Sequence, residues 1–354
     1  MKLLVERKTD FKLPTGILDA SLLADGRTLV AGCMDGVYRA DLEQRTFHLL
    51  DVHSSYVSSV QRLDDNTAIS AGYDGNLHWI DVRSGERKRQ ADVHNFWSWD
   101  MAISSDRRLV ASVTGQYLAG GYRYEPAAET EPGVRVLSAA TGDVVHSLPH
   151  VPSVQAVAFS PDSQFVAAGN LMGEVRVWNT TSGQQVSNWT TDAFTSWGII
   201  KSHCYLGGVF SLQFTPDGRQ ILLAGMGPMR DPMAGNGKQL WQKWDWQQEP
   251  RLVDQTHKGD NGEGLMETLA VHPQQDLFVM GGRLRGGDWN AAFFELSTGN
   301  RLATLKTGYR ITHAEFTPDG NRLLLVGAQG QPKVKSDGSA ANFGRVELYS
   351  IKIA

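Results

Sequence analysis

Short strands separated by tight turns recur from one end of the chain to the other. Segments of alternating apolar and polar residues lead into a turn built on Pro-Asp-Gly or a relative of it, and a second apolar strand follows. Pro presets the first turn position, Asp accepts hydrogen bonds from the turn backbone, and Gly takes the positive-φ position. No segment keeps a helical period, so the pattern predicts an all-β fold. The turn copies are Thr215–Arg219, Thr317–Asn321, Ser160–Ser163, Val271–Gln274, Ala24–Gly26, Asp64–Asn66 and Ser105–Arg107.

The spacing of these turns predicts the architecture. Asp65 lies 40 residues after Asp25, Asp106 lies 41 residues after Asp65, and the next two intervals are 56 and 55 residues. Four-stranded propeller blades repeat every roughly 40–45 residues, and the longer intervals indicate insertions. We therefore expect a seven-bladed β-propeller of four-stranded antiparallel blades, forming one domain over residues 1–354. The expected blades are approximately 17–53, 54–94, 95–150, 151–192, 206–257, 264–307 and 308–352, the last with the strand 2–9.

The two ends of the chain predict how the ring closes. The last repeat unit contains three strands, Ile311–Thr317, Arg322–Ala328 and Arg345–Ile351, and lacks an outer one. Lys2–Thr9 is an alternating segment that precedes the first complete repeat, which begins near Ile17. An open ring would expose unpaired strand edges. We therefore expect the N-terminal strand to complete the seventh blade.

One segment resembles a known family signature. Ser70–Asp81, with the sequence SAGYDGNLHWID, is similar to the second and third strands of a WD repeat, and His53 precedes it where that family places a His. The resemblance covers nearly the whole chain, although the copies are degenerate. It implies a structural hydrogen-bonded tetrad in which His53, Ser70 and Asp74 occupy three positions and Ile80 replaces the Trp. Trp244-Asp245 reproduces the Trp-Asp pair that ends the third strand, and Trp178-Asn179 and Phe294-Glu295 approximate it.

Long insertions are predicted to emerge from one face of the ring. In a propeller the strands of each blade run a to d from the axis outward, so b–c and d–a connections share one face. The a–b and c–d turns are short, and insertions on one face of a repeat protein commonly mark its binding face. The expected b–c loops are Gly115–Pro132, Met226–Gly237, Arg283–Asp288 and Gln329–Phe343, and the expected d–a loops are Thr191–Gly207 and His257–Gly264.

Aromatic and charged side chains in or beside these loops are the candidate binding residues. Aromatic residues are frequent in binding hot spots, because they bury much area at low entropic cost. A satellite core beneath the loops and an ordinary solvated rim are the alternative interpretations. The candidates are Trp97, Trp99, Tyr122, Arg123, Tyr124, Trp197, His257, Asp260, Arg283, Arg285, Trp289 and Arg310.

Composition excludes several other kinds of protein. The formal net charge is −4 and the chain has no basic stripe, so no nucleic-acid footprint is expected. No apolar stretch is long enough for a transmembrane helix, and the N-terminus is charged too early for a signal peptide. We expect a cytoplasmic protein that does not bind a membrane. Cys33 and Cys204 have no metal-site spacing, no catalytic motif stands out, and no metal or cofactor is expected.

Three functions remain open at this point. The first is a non-enzymatic scaffold whose loop-rich face docks a protein or peptide, which rests mainly on the family resemblance. The second is a hydrolase or lyase with its site over the central channel of the same face, and the third is a propeller that binds a sugar or another small molecule. An enzyme should bring ionisable residues with shifted pKa values into one deep pocket. A scaffold should present a broad, shallow aromatic patch.

Overall fold

The computed structural model describes residues 2–120, 123–126, 131–197, 205–231, 236–260, 262, 264–284, 287–330, 334–339 and 341–353. Within these residues the chain forms seven antiparallel sheets arranged as the blades of a propeller. The chain begins with β1 (Leu3–Leu13). Blade 1 follows with β2 (Ile17–Leu22), β3 (Thr28–Cys33), β4 (Gly36–Asp41) and β5 (Thr46–Asp51). Blade 2 contains β6 (Val57–Arg62), β7 (Thr67–Gly72), β8 (Asn76–Asp81) and β9 (Arg87–Asp92).

The next two blades carry the first insertion. Blade 3 contains β10 (Asp100–Ile103), β11 (Leu109–Val113), β14 (Val134–Ser138) and β15 (Val144–Leu148). A separate hairpin of β12 (Tyr117–Gly120) and β13 (Arg123–Pro126) lies within its b–c connection. Blade 4 contains β16 (Val154–Phe159), β17 (Phe165–Asn170), β18 (Glu174–Asn179) and β19 (Gln185–Thr190).

The last three blades complete the ring. A short 3-10 helix (Asp192–Phe194) and β20 (Thr195–Trp197) precede blade 5, which contains β21 (Tyr205–Phe214), β22 (Gln220–Asp231), β23 (Asn236–Asp245) and β24 (Arg251–Gln255). Blade 6 contains β25 (Gly264–Val271), β26 (Leu277–Leu284), β27 (Ala291–Glu295) and β28 (Arg301–Leu305). Blade 7 contains β29 (Arg310–Phe316), β30 (Arg322–Gln329), β31 (Phe343–Ile353) and β1, in the spatial order β1-β31-β30-β29.

The N-terminal strand closes the seventh blade, as predicted. β1 pairs antiparallel with β31 from Leu3–Ile353 to Leu13–Gly344, so the strand extends four residues beyond the expected Thr9. Arg7 Nη1 donates to Glu347 Oε1 at 2.9 Å, and Arg345 Nη2 donates to Asp10 Oδ2 at 2.6 Å. These ion pairs join the two ends of the chain within one sheet.

The hydrophobic core lies between the blades. Seven clusters of buried residues are found among the described residues, and each one joins two neighbouring blades. One cluster packs Ile17 and Leu29 of blade 1 against Leu324 and Val346 of blade 7. Each blade therefore depends on both neighbours, and the ring is closed by packing as well as by β1.

Two more of the predicted loops contain paired strands. We expected Met226–Gly237 to be a b–c loop, but β22 continues to Asp231, β23 starts at Asn236, and the two pair at Met229–Gly237 and Asp231–Asn236. Register shifts absorb the irregular sequence between Met226 and Asp231. The expected loop Thr191–Gly207 contains β20, which pairs with the start of β21. The insertions therefore project partly as β-ribbons from the b–c and d–a face, called here the loop-bearing face.

Candidate functional site

The innermost strands enclose an axial cavity of about 540 Å³, lined by residues from all seven blades. In six of these strands the pairing register skips one residue near the start, which is the signature of a β-bulge. The skipped residues all line the cavity: Leu18, Ser58, Gln155, Phe210, Glu267 and Thr312. Since each inner strand starts at the loop-bearing face, these side chains form a ring near that end of the cavity.

Neighbouring inner strands are joined by side chains that cap backbone N–H groups. The inner edge of each blade has no further strand to accept these donors, and an unpaired buried N–H is costly. A polar side chain on one inner strand accepts the donor of the next blade. The pairs are Val60 N to Asp19 Oδ2 at 2.8 Å, Val157 N to Asp100 Oδ2 at 3.0 Å, Val271 N to Gln213 Oε1 at 3.0 Å, Ala314 N to Thr268 Oγ1 at 3.0 Å and Leu22 N to Glu315 Oε2 at 2.9 Å.

Ionisable groups with shifted pKa values converge on this cavity. His313 Nδ1 lies 2.7 Å from Asp19 Oδ1. Burial lowers the pKa of His313, but the charge of Asp19, its hydrogen bond and Glu315 outweigh burial and raise that pKa to about 10. Burial and the nearby charge of Asp19 raise the pKa of Asp100 to about 7. Asp19 is therefore held as an anion by His313, whereas Asp100 exchanges its proton near neutral pH.

A second ion pair lies on the cavity wall. Arg310 Nε donates to both carboxylate oxygens of Glu267 at 2.7 Å, and Arg310 Nη2 lies 2.5 Å from Glu267 Oε2, so two guanidinium nitrogens hold the carboxylate between blades 7 and 6. Tyr73 and Trp99 line the same cavity. Burial raises the pKa of Tyr73, the charge of Glu267 adds to the rise and that of Arg310 opposes it. The phenol therefore lies within electrostatic range of the ion pair.

Five aromatic rings form a connected cluster beside the cavity, called here the aromatic patch: Tyr56, Tyr73, Phe96, Trp97 and Trp99. Tyr73 stacks on Trp97 with centroids 4.7 Å apart, and Phe96 stacks on the same indole at 5.0 Å. Trp99 meets Trp97 edge-on at 5.2 Å. Tyr56 and Trp97 are each 40% exposed. All five rings come from d–a or b–c connections of blades 1 to 3, so the patch lies on the loop-bearing face.

The backbone beneath the aromatic patch is firmly held. Trp99 Nε1 donates to Gly115 O at 2.8 Å, and Thr114 Oγ1 donates to Trp97 O at 2.8 Å. Tyr73 N donates to Tyr56 O at 2.9 Å. Gly75, at φ +79°, lies so close to His94 O that a Cβ would meet it at 2.1 Å. The rings are therefore presented on a preorganised backbone, which lowers the entropic cost of binding.

Comparisons with known proteins agree with this geometry. Residues 142–179 match the family described as "WD domain, G-beta repeat". The chain is 26% identical over 205 residues to apoptotic protease-activating factor 1 of Rattus norvegicus. The matched segment covers 57% of the chain and 15% of that protein. It is 28% identical over 119 residues to telomerase protein component 1 of Mus musculus, which covers 34% of the chain and 4% of that protein. The chain is a seven-bladed β-propeller with a segment similar to a WD repeat. It spans a small part of the length of these relatives.

The WD-repeat tetrad is present in blade 2 without its Trp, as the resemblance implied. His53 Nε2 lies 2.8 Å from Ser70 Oγ, and His53 Nδ1 lies 3.0 Å from Asp74 Oδ1. Ile80, at the Trp position, is fully buried. In blade 3, His94 Nε2 and Ser112 Oγ repeat the first of these contacts at 2.9 Å.

One group of possible metal ligands occurs among the described residues. Ligand atoms of His53, Asp74 and His78 lie within 4.8 Å of one another. Both ring nitrogens of His53 already have partners, and His78 Nδ1 lies 2.7 Å from Asp51 Oδ2. The two imidazole rings stack with centroids 3.8 Å apart. These contacts account for the group as a structural part of blade 2.

The propeller brings only some of the predicted binding residues together. Trp97 and Trp99 belong to the aromatic patch, and Arg310 lies on the wall of the adjoining cavity. His257 and Asp260 lie on the connection between blades 5 and 6, where His257 Nε2 is 3.2 Å from Asp254 and Asp260 pairs with Arg301 at 3.1 Å. Tyr122 and Arg285 lie outside the described residues, as do the side chains of Arg123, Tyr124 and Trp197, whose backbones belong to β13 and β20.

Trp289 and Arg283 are placed differently. Trp289 is only 7% exposed and packs in the core cluster between blades 5 and 6. The Arg301 guanidinium lies 5.7 Å above its ring. Arg283 is in β26 and pairs in register with Leu265 of β25. Trp289 therefore matches the satellite-core interpretation rather than an exposed hot spot.

Tyr56, Tyr73 and Phe96 were missed at the sequence level. Each lies in a short connection, whereas most of the predicted binding residues lie in or beside the long insertions. The signal that could have found them is their position: all three stand in d–a or b–c connections of the blades next to Trp97.

No helix in the described part of the chain combines the length and apolar character that crossing a bilayer requires.

Proposed function

We propose that this propeller is a non-enzymatic interaction module that docks a protein or peptide segment on its loop-bearing face, with residues 1–354 acting as one domain. The observation that carries the proposal is the aromatic patch, five rings linked by successive ring contacts on one face and bordering the axial cavity. Clustered Trp and Tyr side chains are typical of binding hot spots. A cytoplasmic location and the lack of nucleic-acid partners stay predictions.

The relatives support this proposal only in general terms. One of them is named for activating a protease and another as a protein component of telomerase, and the chain covers 15% and 4% of those proteins. Their partners are therefore not transferred to this chain. The support lies in the two names alone, which describe proteins that act on or with other proteins.

The enzyme alternative is favoured by one observation, the convergence of Asp19, Asp100 and His313 on a single cavity. The carboxylates, however, already serve the fold. Asp19 binds Val60 N, Ser59 Oγ and His313, and Asp100 accepts the N–H groups of Met101 and Val157. An acid or base that holds the ring together in this way has little freedom to move a substrate proton. The alternative therefore ranks second.

A partner-capture experiment with matched variants tests the proposal. Trp97→Ala removes an exposed ring of the patch, and Phe47→Ala removes a ring of nearly equal exposure, 39%, from the outer strand β5. We expect native extract to yield a specific set of proteins with the intact chain and with Phe47→Ala, and a loss of about tenfold or more with Trp97→Ala. Equal recovery with all three proteins would overturn the proposal.

A further inference from the structure

The charges on the axial cavity are unevenly paired. Besides Tyr73, its described ionisable side chains are Asp19, Asp100, Glu267, Arg310 and His313. Glu267 is paired with Arg310 and Asp19 with His313. Asp100 has no ion-pair partner among the described residues, and its two oxygens accept only backbone N–H groups, from Met101 at 2.8 Å and Val157 at 3.0 Å. Among the described residues, this carboxyl group on the wall therefore has no ion-pair partner of its own, because the nearby His313 is paired with Asp19.

The rest of the wall suits a cation that carries an apolar stem. Trp99 and Phe210 line the cavity, and an aromatic face attracts a guanidinium or ammonium group. Ser58, Gln155 and Ser211 line it as well and offer hydrogen-bond acceptors. Trp99 belongs to both the cavity wall and the aromatic patch, so a segment docked on the patch has the cavity directly beside it.

We propose that the axial cavity receives a basic side chain, arginine in the first place, from the segment that docks on the aromatic patch, and that Asp100 is its counter-ion. This inference rests on the proposed function and deepens it by naming the chemistry of the partner. An arginine places its guanidinium against the Asp100 carboxylate while its stem packs on Trp99. Arg310 is already paired with Glu267, and His313 with Asp19. The partner's arginine would therefore be the ion-pair partner of Asp100.

The proposal has a consequence for pH. A cation binds the ionised form of Asp100, whose pKa of about 7 leaves it half protonated at neutral pH. The groups that face it are Asp19 from β2 and His313 from β29. Asp19, with its lowered pKa, and His313, with its pKa near 10, both keep their charge between pH 6 and 8. Binding of an arginine peptide should therefore strengthen over that range.

Two acetylated, amidated heptapeptides, Gly-Ser-Gly-Arg-Gly-Ser-Gly and the same sequence with citrulline for arginine, test the proposal by calorimetry on the full chain. Citrulline keeps the shape and loses the charge. We expect the arginine peptide to bind about tenfold more tightly at pH 8, and this preference to shrink at pH 6. Asp100→Asn should abolish it, and Gln155→Glu, which adds a carboxylate to the wall, should increase it.

Two results with the wild-type chain would contradict the inference. Equal affinities for the two peptides on the wild-type chain, or a preference that does not change from pH 6 to 8, would overturn the inference without any variant having to fold. The proposed function fails separately: if Trp97→Ala captures the same proteins as Phe47→Ala, the patch is not the docking surface. If Trp97→Ala loses its partners while the citrulline and arginine peptides bind with equal affinity, the proposed docking surface is supported. The inference that the cavity receives a basic side chain is then wrong.

Discussion

His313 of the last blade and Asp19 of the first are paired on the wall of the axial cavity, with Nδ1 and Oδ1 2.7 Å apart. Asp19 also accepts a hydrogen bond from Val60 N at 2.8 Å, so a single carboxylate links blades 7, 1 and 2. The seam between the first and last blades is thus tied at the axis by this pair and in the outer part of blade 7 by β1. A folded ring is needed to bring these residues together.

We predict that His313→Gln destabilises the ring by about 3 kcal/mol at pH 6, because it leaves the buried Asp19 charge without its cation. The folded pKa of His313, about 10, lies above its ordinary value of 6.5. Its contribution to stability is therefore complete below pH 6.5 and is lost as pH rises towards 10. Urea unfolding at pH 6 and pH 9.5 should show that the difference in free energy of unfolding between wild type and variant is smaller at pH 9.5. His48→Gln, at an exposed position on β5, is the control and should change nothing.

Asp100→Asn should become more stable relative to wild type as pH rises through neutrality. The pKa of Asp100 is about 7 in the fold and 3.8 ordinarily, so the contribution of Asp100 to wild-type stability falls as pH rises between those two values. The amide does not ionise, but it accepts at one oxygen where the carboxyl group serves two N–H groups. We expect the variant to have a lower free energy of unfolding than wild type at pH 5. Between pH 5 and pH 8 this difference should shift by roughly 2 kcal/mol in favour of the variant. Parallel stability curves across that range would contradict the assignment.

Removing residues 1–10 should lower the melting temperature by roughly 10 °C or more, since it strips most of the β1–β31 ladder from blade 7 and exposes an edge. The loss should be visible by scanning calorimetry. Arg7→Ala is the milder companion: it removes one ion pair of the buried Glu347 and keeps the strand. An unchanged melting temperature for the truncated chain would mean that β1 does not close the ring.

Two turns should tolerate glycine better than their own residues. Arg45 and Gln248 lie in c–d turns at φ +56° and +59°, where other blades have Gly85, Gly142, Gly183 and Gly299. Side chains are strained in this conformation, so Arg45→Gly and Gln248→Gly should each stabilise the protein by about 0.5–1 kcal/mol. Arg83→Gly, in a c–d turn but without positive φ, is the control. A loss of stability in both test variants would show that these turns are not strained.

The fold was predictable because its signals are local and repeated. An Asp marks most of the a–b turns, such as Asp217 and Asp319, and in the structure Thr215 and Thr317 donate to them as a turn of this kind requires. The tetrad residues His53, Ser70 and Asp74 were found because their spacing in one blade follows the family pattern. Such signals do not depend on how the blades are arranged around the axis.

The site was less predictable because it is assembled across blades. Asp19 and His313 belong to opposite ends of the sequence, and no local pattern joins them. Tyr56 and Tyr73 stand in short connections that contain no insertion to draw attention to them. The extended β22–β23 ribbon was mistaken for a loop because Pro228 and the glycines around it are typical of loops, whereas register shifts at that point keep the strands paired.

The most direct measurement is site-specific photo-cross-linking in native extract, with benzoylphenylalanine placed at position 97 of the aromatic patch or at position 47 of the outer edge. The two native residues are almost equally exposed, so non-specific labelling should be the same. The account predicts discrete cross-linked proteins from position 97 that position 47 does not give and that Tyr56→Ala weakens. The same set of products in similar yield from both positions would contradict it.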